Sequence, residues 1–199
     1  ISACLVGSEM CIRDRPGARK AAGTTLNRKG EVEAAIDVLV RNHIGMAGAQ
    51  GFLANLGGWV TIPVALPANM SALATLQARM VAAISHLRGY DVDDTRVRTA
   101  IFTCLLTQDN VDELIRNEKI PSTPMAMATA PVSDPELEKT VATHVVETLG
   151  SLATGKRVAV MGMKKIPLLG GGIGAGTDGM ATWQVARYAK KQFPSRRMG

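Results

Sequence analysis

The residues of this chain that could do chemistry are few and poorly grouped. Gly174-Ala-Gly-Thr-Asp-Gly179 spells GxGxxG. A dinucleotide site needs a strand running directly into such a run, and an acid about 20 residues on to hold the ribose. Here Lys164, Lys165 and Pro167 stand between a strand candidate, Val158–Met161, and the glycines, and no acid follows Asp178. Gly150-Ser-Leu-Ala-Thr-Gly-Lys156-Arg157 departs from a phosphate-binding loop where Arg157 replaces the metal-binding Ser or Thr. The segment before it has a helical pattern, whereas a phosphate-binding loop follows a strand. His43, His86 and His144 fall on three different expected helices, without HxxxH or HExxH spacing. Cys104 sits on an apolar stripe, where a thiol is core rather than nucleophile. No GxSxG elbow is present. These residues point to no catalytic group, no cofactor and no metal ligand.

A basic cluster near the end of the chain is the stronger signal. Trp183, Arg187, Lys190, Lys191, Arg196 and Arg197 bring five cations and no acid after Asp178. Trp183, Tyr188 and Phe193 are three of the seven aromatics in the chain, and they lie among those cations. Basic residues beside amphipathic aromatics suit an anionic membrane surface. The plainer alternative packs Trp183 and Phe193 on the core. The net charge of +6 also favours anionic partners. Nucleic acid is not the expected one, because no stacking pattern or known module accompanies the charge.

These residues must be positioned by helices. Apolar residues make up 46% of the chain and aromatics only 4%, so the core is built from Ala, Val, Leu, Ile and Met. That composition predicts a single all-α domain of six to eight helices rather than a β-sandwich. Residues Cys4 to Asp14, CLVGSEMCIRD, match a common sequencing adapter translated in one frame, so residues 1–15 are expected to lie outside the fold. Cys104 is then the domain's one cysteine, which fits a reducing compartment. Residues 16–30 read as a flexible basic leader, residues 31–193 as the helical domain, and residues 194–199 as a basic tail.

A helix is expected from Glu31, with Val32, Ala35, Ile36, Leu39 and Val40 at helical spacing. Asn42 to Ala78 then carries no Asp, Glu, Lys or Arg. It is long enough to span a bilayer, which needs about 20 apolar residues. It is also broken by glycines, Pro63 and Pro67, so a turn near Gly57-Gly58 and a second helix from about Pro67 to Arg88 is the better reading. Met70, Leu73, Gln77, Met80, Ile84 and Leu87 form that helix's buried stripe. Gly89 closes it, and Asp93 or Asp94 caps a helix with Val97, Ala100, Ile101, Cys104 and Leu105 inward. A short helix is expected over Asp109–Glu118 and a loop over Ile120–Val132. Ser133-Asp134-Pro135-Glu136 opens a further helix that ends near Gly150 or Gly155. The last helix is expected from about Asp178 to Phe193. Before it, Gly170 pairs with Gly174, and Gly172 with Gly176, at i, i+4 spacing. That spacing either marks a close helix–helix contact or belongs to a loop.

Several of these blocks carry a resemblance. Gly51-Phe-Leu-Ala-Asn-Leu-Gly-Gly58 and Ile62-Pro-Val-Ala-Leu-Pro67-Ala-Asn69 resemble the opening of EcsC family proteins. Arg79 to Asp91 is similar to the family's next block, and Lys165 to Asp178 with Ala189 to Phe193 resembles its closing one. The middle departs from the pattern, because the Pro/Met segment Ile120–Val132 replaces a longer Lys-rich helical stretch. The family is bacterial and is named for a gene beside an ABC transporter pair linked to secretion. The resemblance implies no catalytic residue. The expected function is therefore non-catalytic: a cytoplasmic protein, peripheral at the inner membrane, contacting anionic lipid or a membrane transport or secretion component. Two other classes stay open, a hydrolase-like enzyme with an unfamiliar site and a soluble helical interaction protein.

Overall fold

A computed structural model describes residues 17–56, 58–162 and 167–196, with side chains at 17–53, 70–148, 150 and 175–196. Among the described residues there are eight helices and no strand, in one all-α arrangement. They are α1 (Gly17–Lys29), α2 (Val32–Leu56), α3 (Gly58–Leu87), α4 (Thr95–Cys104), α5 (Thr107–Arg116), α6 (Pro124–Ala128), α7 (Pro135–Gly162) and α8 (Pro167–Gln192). The expectations for residues 1–15 and Arg197 lie outside the described residues.

The second half of α3 is the axis of the fold. All six expected stripe residues, from Met70 to Leu87, are buried. Ala78, Val81, Ala82, Ala83 and Ser85 are buried as well, so this helix is covered nearly all round rather than along one face. α1, α2, α4, α7 and α8 pack against it. Gly89, at φ +88°, turns the chain out of α3 in the left-handed region that glycine tolerates. The turn buries Tyr90 and Val92. Asp94 caps α4 by accepting the Arg96 amide at 2.9 Å. The stripe Val97, Ala100, Ile101 and Cys104 is buried and Leu105 is half-buried. Asp134 opens α7 by accepting the Glu136 amide at 2.9 Å.

Several elements differ from expectation, each for a physical reason. The supposed leader is helix α1, with Ala22 fully buried and Ala18 and Leu26 packed on the core. Its apolar stripe is three small or medium residues four apart, too thin to stand out among four Lys and Arg (Arg19, at the edge of that stripe, bonds Asp93). α3 begins at Gly58, not near Pro67. Proline's fixed φ of about −65° is helical, so the chain continues through Pro63 and Pro67 without their donors. The Ile120–Val132 segment holds a short helix, α6, begun by Pro124 and pinned by buried Met127 and Ala128. α7 runs past Gly150 and Gly155 to Gly162, and α8 takes in the glycine run from Pro167. Glycine lowers helix propensity by about 1 kcal/mol without forbidding the helix.

Candidate functional site

α8 lies antiparallel on α2 in the most extensive helix pair of the fold. At one end Lys190 Nζ donates to Asp37 Oδ1 at 2.8 Å. Further along, Gly179 faces Ile44, and a methyl there would rest 3.7 Å from its Cγ2. At the other end a methyl on Gly48 would rest 3.5 Å from the carbonyl oxygen of Ala175. Gly48 and Gly179 therefore face the partner helix with room for no more than a methyl in ordinary contact. Gly176 is corrected as a packing glycine, because a Cβ there meets nothing within 4 Å. Gly170, Gly172 and Gly174 lie on helical backbone outside the described side chains.

The inner face of α8 is tied down. Asp178, Thr182, Val185, Ala186, Tyr188, Ala189 and Phe193 are buried. Gln77 Nε2 donates to Thr182 Oγ1 at 3.3 Å, and Gln192 Oε1 accepts the Met125 amide at 3.1 Å. Phe193 meets Tyr90 edge-on, 5.1 Å between ring centres. Tyr188 and Phe193 are thus core and Trp183 is not, so the plainer alternative holds for Phe193 and fails for Trp183.

The outer face presents Gly176, Met180, Trp183, Arg187 and Lys191, spaced by four and three residues on one exposed stripe. Met180 is 57% and Trp183 41% exposed. The Arg187 guanidinium lies over the Trp183 ring at 4.8 Å. Between this face and α2 is an open hollow of about 440 Å³, lined by Ile44, Ala175, Gly176, Gly179, Met180 and Trp183. On α2, Met46 and Leu53 are also exposed, at 47% and 66%.

The expected contact residues therefore divide. Trp183, Arg187 and Lys191 share the outer face. Lys190 is paired with Asp37 and lowers that carboxyl's pKa through their hydrogen bond. Arg196 lies over Tyr90 at 4.4 Å, and its amide donates to the Arg88 carbonyl. The apolar half of the face, Met180 with Ile44, was not singled out in the sequence; the charge-free run beginning at Asn42 was a signal for Ile44 alone.

The remaining reactive types are structural. Cys104 is fully buried, and burial pushes its thiol far above the ordinary value. Burial also lowers the His43 pKa, while its Nδ1 lies 2.8 Å from the Leu39 carbonyl. His144 pairs with Glu147 at 3.0 Å. Among the described residues no group of three or more His, Cys, Asp or Glu is placed to hold a metal. Nor is any described helix long and apolar enough to cross a membrane.

Fold and surface together define an all-α helical protein with one apolar-and-basic helix face exposed. The chain belongs to the EcsC protein family, whose model matches residues 1–198. No curated protein and no solved structure matches it.

Proposed function

We propose that this EcsC family protein is non-catalytic and docks at the cytoplasmic face of the inner membrane, where it contacts anionic lipid or a membrane transport or secretion component. One observation carries the reading. Trp183 and Met180 are exposed on the same face of α8 as Arg187 and Lys191. A tryptophan at a membrane interface buries its ring and keeps its N–H wet. A cation at an anionic leaflet contributes about 1 kcal/mol, screened by salt. The fold supports attachment at the surface over insertion, because α8 is held by its buried face and its partners on α2 and α3.

Co-sedimentation with phosphatidylglycerol-containing vesicles tests it. The protein is expected to bind at low salt, to release at high salt, and to ignore phosphatidylcholine vesicles. Arg187→Gln with Lys191→Gln should weaken binding by roughly 30-fold, the equivalent of about 2 kcal/mol. Lys190→Gln should do less, because Lys190 is already engaged by Asp37. Absence of binding to anionic vesicles at low salt overturns the proposal.

A further inference from the structure

We infer that the hollow between α2 and α8 is a binding site for one acyl chain of an anionic phospholipid, whose phosphate pairs with Arg187. This rests on the membrane-docking reading and makes it specific: the protein holds a single lipid in a defined place rather than only adhering to a charged surface.

The lining dictates the chemistry. Ile44, Ala175, Gly176, Gly179 and Met180 offer hydrocarbon, sulfur and backbone, and Trp183 adds an aromatic wall. With no charged side chain among the described residues of the lining, the group that fits is hydrocarbon rather than a sugar, nucleotide or ion. The volume of about 440 Å³ lies within the usual range for small-ligand sites of about 300–1,000 Å³. The hollow exists because Gly176 and Gly179 carry no side chains. A Cβ on Gly179 would rest in ordinary contact with Ile44, whereas beside Gly176 there is open space. That space lies on the stripe that also carries the exposed tryptophan.

The charge beside it selects the head group. Arg187 is held over Trp183, which itself lines the hollow. Among the described residues it has no carboxylate partner, in contrast to Lys190. A planar guanidinium fixed by stacking is arranged to take two phosphate oxygens at once. Lys191 follows one turn on along the same stripe. An apolar hollow with a stacked, available guanidinium at its rim matches an anionic phospholipid in both parts.

The experiment uses the full chain and short-chain phosphatidylglycerol below its micelle concentration, followed by calorimetry. Saturable binding of one lipid per chain is expected. Gly176→Leu should abolish it or weaken it at least tenfold, since the new side chain fills the hollow. Its thermal midpoint should hold, because a Cβ there meets nothing. Met180→Gln, at an exposed position that cannot compromise folding, should weaken binding several-fold as well. Arg187→Gln should weaken phosphatidylglycerol several-fold and leave short-chain phosphatidylcholine unchanged. No saturable binding, or a Gly176→Leu variant that binds as tightly as the parent, overturns the inference. So does tighter binding of decanoate, which would assign the hollow to a free fatty acid. Gly176→Leu adds apolar surface to the docking face, so its vesicle sedimentation should persist. Failure of the lipid site is thereby distinguished from failure of membrane docking.

Discussion

A guanidinium taken out of water is tolerated only where its donors are met, and Arg88 is 7% exposed. Nε and Nη2 donate to the two carboxylate oxygens of Glu33 at 3.0 and 2.8 Å. Nη1 reaches the carbonyls of Lys190 and Phe193, at the end of α8, at 2.5 and 2.7 Å. One side chain just past the end of α3 thus ties the start of α2 to the end of the helix that bears the docking face. Glu33 keeps half its side chain in water, so removing it should cost little. Removing Arg88 strands two carbonyls and a partly buried acid. Arg88→Met is expected to destabilise by about 2–3 kcal/mol. Glu33→Gln should cost no more than about 1 kcal/mol. Urea midpoints of both variants check the asymmetry, and equal losses would show that the carbonyl contacts contribute nothing. This residue was not legible in the sequence, where an arginine before a C-terminal glycine reads as a solvated helix end.

At the level of elements, the α2–α8 pair depends on how closely two backbones can approach. Gly48 lies on α2 where a methyl would sit 3.5 Å from the Ala175 carbonyl, an ordinary contact. Gly48→Ala is therefore expected to be neutral, or to stabilise by up to about 1 kcal/mol through helix propensity. Gly48→Leu should cost about 1–3 kcal/mol, because the longer side chain must push α8 away or leave its rotamer. Denaturant midpoints decide it, and a neutral leucine would mean that α8 does not depend on this contact. The elements that could be read from sequence were those with large residues at helical spacing. The stripes of α3 and α4 were visible in that way, and the Asp94 cap was visible from its residue type. α1, the start of α3 and the first half of α8 were hidden for a common reason. Small, basic, proline or glycine residues carry weak local preference, and packing against neighbours overrides it. The glycine run was read with helix and loop both open, and the backbone there is helical from Pro167.

The molecule as a whole carries +6, and its response to acid should come in two stages governed by different groups. His43 is on α2, and burial pushes its pKa below the ordinary 6.5, with nearby Arg79 adding to the effect. The unfolded chain therefore binds this proton more readily than the folded one. Stability from His43 is complete above about pH 7 and is lost as pH falls through 6.5 towards the lowered folded value. Asp37 and Asp94 are lowered below 3.8 by hydrogen bonds from Lys190 and Arg96. Their contribution is present above 3.8 and disappears only beneath it, and Asp37's share is small because its side chain is 59% exposed. Thermal midpoints should thus show a shallow decline that sets in below about pH 7, and a separate fall below about pH 4. His43→Gln should flatten the first decline and leave the second in place. Lys190→Gln should reduce the second without touching the first. An unchanged first decline in His43→Gln would remove His43 as its cause. The docking face contains none of these carboxylates or imidazoles, so lipid binding should hold across the first decline while stability drops. That separates the stability of the bundle from the chemistry of the surface it presents.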